Sequence, residues 1–386
     1  MERLQSVGVV SFVVCLGLAL SLSIAFAGSN KNKEVEIANL NLLHGFDCDP
    51  PFPGQGDQCR LSDRVNLLFD HLADIGCPDI VTLQEIVDRD FVARSPVEIV
   101  GPLDSAKELI EEKLAPLAEV CGFQYELLYE PAPDTQFEGT DEELILSRYP
   151  IVDAELRLLH SALFQPDIPL LQFFARHALF ARIDHPVGWI DVFTTHLSSG
   201  SDFANNDCNS QVDLGGGVVI FVPCPEECYP SQTVRECQAQ QLALFVETRH
   251  DVPAPAYVSG DMNAEPSSNE YEEFVGRGWI DTHLAAGNQE CEPTTGLGCT
   301  SGRDEIGGDL EAPALNVDRR IDFVFLVPGN HALHCKLVQA TKRRSRLFAA
   351  EPNPFDDTCG PAPLPICWTS DHNGNFANVR CSKNPK

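Results

Sequence analysis

The chain has 386 residues and a formal net charge of −30, from 27 Lys and Arg against 57 Asp and Glu. A surface of that sign repels polyanions at long range, which disfavours tight non-specific nucleic-acid binding but leaves room for a nuclease with a local cationic site. The composition, 43% hydrophobic and 22% charged, is that of a folded chain rather than a disordered one.

Residues 1–27 carry Arg3, a long apolar core and the small-residue ending Ala25-Phe26-Ala27. This is the pattern of a cleaved secretory signal, with a retained membrane anchor as the alternative. The expected mature chain, residues 28–386, is a single domain that is secreted or periplasmic. Of the 15 cysteines, Cys15 lies in the signal and an even number remain, which suits full pairing in an oxidising compartment. Cys224-Pro-Glu-Glu-Cys228 imitates half a zinc site, but no partner pair with ligand spacing follows closely, so disulfides are expected there too. The pairing cannot be deduced from the sequence.

Apolar runs predict strands over Val35–Leu43, Ile80–Leu83, Tyr125–Tyr129, Leu144–Leu146, His177–Ile183, Ile190–Thr194, Tyr257–Ser259, Ile321–Val327 and Asn375–Val379. Helical periodicity marks Leu61–Ile75, Ala106–Val120 and Thr233–Thr248. Strands outnumber helices, which points to an α+β layered sandwich rather than a doubly wound parallel sheet. Segments 48–59, 198–231 and 351–368, rich in Cys, Pro or Gly, read as disulfide-stapled loop insertions.

The strand ends carry the chemistry. Asn41 closes IANLN, Glu85 closes DIVTLQE, His196 follows VFTT, Asp261 and Asn263 follow YVSG, Asp322 opens DFVFL, and Asp371 with His372 stands in TSDHNG. Each has an ordinary structural explanation; for Asp322 it is a salt bridge to Arg320. Together, carboxylates, amides and imidazoles at one sheet edge are what a hard divalent cation and a phosphoryl group require.

LQE, LSRYPI, TTHL, GDMN, RRIDFVF and SDH, in this order over Val35–Val379, resemble the endonuclease/exonuclease/phosphatase superfamily as a secreted, bacterial-type member. That superfamily spans pancreatic-type deoxyribonuclease, abasic-site endonucleases, inositol polyphosphate 5-phosphatases and neutral sphingomyelinases. The resemblance implies a four-layer α/β/β/α sandwich of two mainly antiparallel sheets. It also implies roles. Glu85, Asn41 and Asp371 would hold Mg2+, or Mn2+ or Ca2+. Asp261 and His372 would position and deprotonate water, and Asp322 would orient His372. Asn263 and His196 would bind the non-bridging oxygens. The expected activity is metal-dependent hydrolysis of a phosphodiester, in nucleic acid or in a phospholipid headgroup.

The substrate stays open at this level. Glu142 reads as a solvated member of the acidic run Asp141-Glu142-Glu143, with a pairing to His196 as the alternative. The basic run Lys342-Arg343-Arg344-Ser345-Arg346 reads equally as a phosphate grip or a solvated loop. A sphingomyelinase-like phospholipase C is the second reading, with apolar residues 163–174 available for peripheral membrane contact. Against it, Arg176 stands where those lipases carry a lysine. The 5-phosphatase reading is weaker, because Asn316–Arg320 replaces a tryptophan-containing block. A catalytically inactive interaction module is the third reading, and no stable protein partner is expected.

Overall fold

The computed structural model describes residues 34–44, 60–87, 105–131, 142–161, 175–199 and most of 208–383. The expected signal, residues 1–27, the expected insertion 48–59, the apolar stretch 163–174 and the cations Lys342 and Arg343 lie outside the described residues.

In chain order the elements are β1 (Glu34–Asn41), α1 (Leu61–Asp74), β2 (Ile80–Ile86), α2 (Ala106–Cys121), β3 (Glu126–Tyr129), β4 (Glu142–Ser147), β5 (Ile151–Leu159), β6 (Arg176–His185) and β7 (Gly188–His196). A small hairpin of β8 (Gln211–Asp213) and β9 (Val219–Phe221) precedes α3 (Val234–Arg249), β10 (Ala256–Asp261) and α4 (Asn269–Gly276). Then come β11 (Ile280–Asp281), α5 (Thr282–Ala285), β12 (Asp322–Val327), β13 (Leu333–Leu337), β14 (Arg346–Phe348) and β15 (Gly374–Lys383).

Leu61, Val65, Leu68 and Leu72 recur along one face of α1 and are buried. Helix α2 ends at Gly122, whose φ of 75° supplies the left-handed cap. Helix α3 opens with a capping box between Thr233 and Glu236.

One sheet runs β13-β15-β1-β2-β4-β3, with β14 against β15, and the other runs β11-β12-β10-β7-β6-β5. Helices α1 and α2 cover the first sheet through Leu40, Val81, Leu83 and Leu144. Helices α3 and α4 cover the second through Phe180, Phe193, Val258 and Phe325. Between the sheets lie Val35, Ile37, Ile80, Ile145, Leu179, Val192, Tyr257 and Val324. The molecule is thus the four-layer α/β/β/α sandwich expected, with mainly antiparallel sheets.

Each sheet holds one parallel pair at its centre, β1 with β2 and β7 with β10. These four strands bring their carboxyl ends to one end of the sandwich. Side chains alternate across a strand with period two, so the inward rows can be followed towards that end. Ile37 gives way to Asn39, Ile80 to Thr82, Val192 to Thr194 and Tyr257 to Ser259, and these polar groups close on one another between the sheets. Thr82 Oγ1 lies 2.9 Å from Asn39 Oδ1 and 2.8 Å from Ser259 Oγ. Gln84 Nε2 donates to Asn39 Oδ1 at 2.9 Å and to Thr194 Oγ1 at 2.8 Å. One step further stand Asn41, His196 and Asp261.

Strand β5 was not expected from the sequence because it is a charged edge strand without an apolar run; Arg249 pairs with its Asp153 and Glu155. The strands β11, β13 and β14 and the short helices α4 and α5 also go beyond the expected elements, being too brief to show a period. Six disulfides join described cysteines: Cys77–Cys121, Cys208–Cys224, Cys228–Cys237, Cys291–Cys299, Cys335–Cys381 and Cys359–Cys367. Both cysteines of the CPEEC stretch are therefore in disulfides, as expected.

Gly260 stands where β10 passes close to β7. Its φ is 149°, and a Cβ there would meet the Thr195 carbonyl oxygen at 1.9 Å. Gly260→Ala is expected to cost roughly 2–4 kcal/mol, the range of a backbone-strain lesion. Urea denaturation would read this as a lowered midpoint, and an unchanged midpoint would contradict the close approach.

Candidate active site

The site is assembled from strand ends and two backbone irregularities. Asn41 and Asp261 are the last residues of β1 and β10, and His196 is the last of β7, in register with Asp261. Asp322 opens β12 opposite Asp261. Glu85 sits where the pairing of β2 with β4 shifts register, and its φ is 61°. A bulge of this kind re-aims a side chain that regular alternation would send to the other face. Asn263 is also left-handed, at φ 47°, and its backbone N–H donates to Asp261 Oδ1 at 2.8 Å. Asp371 and His372 lie just before β15.

These groups converge on one atom, Oδ2 of Asp261. Asn41 Nδ2 donates to it at 3.1 Å, and His196 Nε2 and His372 Nε2 stand 3.6 and 3.8 Å away. Asn41 Nδ2 also donates to Glu85 Oε1 at 2.7 Å, while its carbonyl oxygen accepts from the Leu43 backbone N–H at 2.9 Å. His372 Nδ1 donates to Asp322 Oδ2 at 2.8 Å, which turns Nε2 towards Asp261 and towards Asp371 Oδ2, 3.8 Å away. All eight residues nominated from the sequence are thus brought to one end of the sandwich.

Asn263 Nδ2 donates to the Leu197 carbonyl at 2.9 Å, which fixes its amide orientation, and lies 3.0 Å from His196 Nε2. His196 Nε2 is therefore the acceptor and Nδ1 carries the hydrogen. That Nδ1 is buried without a hydrogen-bond partner among the described residues, with Glu85 Oε1 4.0 Å away. An orphaned buried donor beside an acid is a ready position for an incoming oxyanion.

The electrostatics follow from burial and crowding. Burial and the charge of Asp322 push Asp261 up to about 7. Burial works against the charged form of His372, but Asp322, Asp371 and Asp261 outweigh it and hold the imidazole well above its ordinary value. His196 is lowered well below its ordinary value by burial and by the positive charge of Arg176. Burial opposes ionisation of Glu85, yet the hydrogen bond and charge of His44, with His196 and Asn41, hold it well below the carboxylate range.

Sequence reasoning missed several neighbours. His44, 43% exposed at its side chain, bonds Glu85 Oε2 through Nδ1 at 2.7 Å and through its backbone N–H at 2.9 Å. Ser301 Oγ lies 3.3 Å from His372 Nε2, and Thr300 Oγ1 accepts from the Ile321 and Asp322 backbone N–H groups at 3.1 and 3.2 Å. The motif HG after NLL was a signal for His44, whereas nothing near Ser301 marks it. Arg320 does not pair with Asp322; it bonds Asp281 at 2.8 Å and Glu290 at 2.5 Å, leaving Asp322 to His372.

Glu142 is not the solvated acid expected, nor the partner of His196. Strand β4 carries it and Glu143 into the buried interior, where both meet His177 Nε2, Glu142 Oε2 at 3.2 Å. Burial disfavours the imidazolium, but the two glutamates raise His177 to about 9, giving a buried ion triad.

Donor chemistry decides whether a divalent cation fits. Glu85 and Asp371 offer carboxylate oxygens, and the Asn41 carbonyl keeps a second lone pair, a hard-oxygen set suited to Mg2+. Burial, and also the charge of Glu85, raise Asp371. Two partly exposed carboxylates that repel each other are relieved by a cation between them, so the residues fit. Asp261, Asp322 and His372 form a second group whose donor atoms lie within 4.8 Å of one another.

The model of the Endonuclease/Exonuclease/phosphatase family matches residues 38–372. No curated protein matches the chain. Similar solved structures include an endonuclease/exonuclease/phosphatase from Bacteroides vulgatus, 16% identical with a TM-score of 0.53, over 90% of this chain and 99% of that one. A humanized D. rerio TDP2 is 16% identical with a TM-score of 0.50, over 90% and 99%. A mannosyl-6-phosphatase of Bacteroides thetaiotaomicron is 14% identical with a TM-score of 0.50, also over 90% and 99%. At these identities the likeness bears on the fold.

The raised His372 links protonation to stability. A folded value above the unfolded one, about 6.5, contributes stability that is complete below that pH and is lost as pH rises through the folded value. In EDTA-treated protein, the NMR titration of His372 is expected well above 6.5 and should fall in Asp322→Asn. An ordinary, unchanged titration in both proteins would contradict the pairing.

Proposed function

The chain belongs to the endonuclease/exonuclease/phosphatase family, and from that premise we propose that it is an exported, divalent-metal-dependent phosphodiesterase. The observation that carries this reading is the convergence of Asn41, His196 and His372 on a single buried oxygen of Asp261, with Glu85 one hydrogen bond away through Asn41.

A phosphodiester anion repels hydroxide, so its hydrolysis needs charge drained from phosphorus, a base in line for the water, and donors for the growing oxyanion. Glu85 and Asp371, assisted by Asn41, would hold the cation, which when bound acts as a Lewis acid on a phosphoryl oxygen. Asp261 orients the water through Oδ2 and takes its proton. Asp322 holds Nδ1 of His372, and the charged His372 faces the phosphate through Nε2 and supports the charge that grows there. His196, neutral, donates from Nδ1 to a non-bridging oxygen, and Asn263 fixes that tautomer by bonding Nε2. Relative to the sequence expectation, this moves His372 from sharing the base role to stabilising the oxyanion, and makes Asn263 a support for His196.

Export is supported by the disulfides, which persist in oxidising compartments. Among the described residues no helix is long and apolar enough to cross a membrane. For the substrate, nucleic acid leads over phospholipid, because Arg176 stands where the lipases that this sequence resembles carry a lysine. One structural neighbour is named a mannosyl-6-phosphatase, so a phosphomonoester belongs in any substrate panel.

Bis-p-nitrophenyl phosphate is expected to be hydrolysed with Mg2+ and not with EDTA, and Glu85→Ala or His372→Ala should each lower turnover about a hundredfold or more. Metal-independent turnover, or full turnover in both variants, would sink the mechanism. Plasmid DNA, sphingomyelin vesicles and a hexose 6-phosphate run in parallel assign the substrate class.

A further inference from the structure

Beside the catalytic end lies a cavity of about 450 Å³ whose walls include Arg344, Asn288, His283, Leu297, Gly298 and Asn373. One of its walls holds Asn373, the residue after His372 in the chain. Asn373 is tied to the opposite wall, its backbone N–H donating to Thr300 O at 2.6 Å and its Nδ2 to Cys299 O at 2.9 Å. That wall, residues 289–299, is closed by Cys291–Cys299 and by the bridge between Glu292 and Leu297. Gly298, at φ 79°, lets the strands of this loop approach; a Cβ would meet Gln289 O at 2.8 Å. The cavity is therefore preformed, as binding sites usually are.

Its charge is unusual for this chain. Arg344 belongs to the basic run seen in the sequence, and its guanidinium donates to the neutral Asn288 Oδ1. Asn288 is itself held by donating to Ser345 O at 2.8 Å and His283 O at 3.0 Å. Among the described residues no carboxylate pairs with Arg344, although the chain carries a net charge of −30. Among the described residues no acid lines the cavity, and burial lowers His283, the other titratable group there. An uncompensated guanidinium in a cavity lined by Asn, Thr and Gly beside the apolar Leu297, Leu347 and Ala350 selects an anionic group that carries both hydroxyls and a carbon face, and repels a cationic headgroup.

We propose that this cavity is the subsite for a sugar-phosphate substituent of the substrate, with Arg344 binding a second phosphate beyond the one hydrolysed at Asp261. The inference rests on the phosphodiesterase reading for its link to turnover, but not for its binding test.

Two measurements separate the two claims. The first is calorimetric binding, in EDTA, of thymidine 3′,5′-bisphosphate, glucose 1,6-bisphosphate and phosphocholine to the full chain. The bisphosphates should bind and phosphocholine should not, and the thymidine and glucose arms tell a nucleotide from a free sugar phosphate. Arg344→Gln should weaken the bisphosphates about tenfold while Arg344→Lys retains most binding. The second is hydrolysis of the p-nitrophenyl ester of thymidine 5′-phosphate with and without a 3′-phosphate. Arg344→Gln should raise KM about tenfold only for the 3′-phosphorylated ester and leave bis-p-nitrophenyl phosphate unchanged. Leu297→Trp, at a position 58% exposed and so tolerant of change, should narrow the mouth and lower bisphosphate binding likewise. Phosphocholine binding as tightly as the bisphosphates, or Arg344→Gln changing all substrates equally or none, would overturn the proposal. Bisphosphate binding without turnover of any diester would instead overturn the phosphodiesterase reading and leave the subsite standing.

Discussion

The site depends on the polar seam between the two sheets. Two parallel strand pairs send four inward rows towards the same end, and along each row the side chains pass from aliphatic or aromatic to hydroxyl or amide to acid, amide or imidazole. The middle step is what makes the last one tolerable. Thr82 with Ser259, and Gln84 with Thr194, bond across the sheet interface at 2.8 Å, each such bond contributing on the order of 1 kcal/mol net. They fix the relative height of the two sheets, and so the distance from Asn41 and Glu85 on one to Asp261 and His196 on the other. A one-residue slip of any of these strands in its own sheet would turn that strand's row to the outer face.

Crowding then sets the chemistry. Asp261, Asp322, Asp371 and Glu85 are brought together, the first two of them buried, an arrangement that costs free energy unless cations share the site. His372 supplies one positive charge, held by Asp322 at 2.8 Å. A divalent ion at Glu85 and Asp371 would supply two more. The same crowding separates the roles of chemically similar groups: His372 stays charged beside acids, whereas His196, buried and facing the field of Arg176, stays neutral.

The sequence disclosed the strand ends because period-two alternation and turn chemistry are local. Asn41, His196 and Asp261 could be placed at one edge from runs of a few residues. What was not legible depends on contacts between distant segments. Glu142 looked solvated in an acidic run, yet β4 carries it inside to His177. Arg320 looked like the partner of Asp322, yet β11 brings Asp281 to it and the loop after α5 brings Glu290. Ser301 reaches His372 from just beyond the loop that Cys291–Cys299 closes, in a stretch that has no motif, and the bulge that aims Glu85 is a property of register rather than of residue type.

The central claim, that this seam assembles a cation-binding phosphoryl site, is tested most directly by calorimetric titration of Mg2+ into protein stripped with EDTA and dialysed. The account predicts saturable binding to the wild-type chain that is abolished in Glu85→Gln, with the fold intact by circular dichroism. Equal binding by both proteins, or none by the wild type, would contradict it.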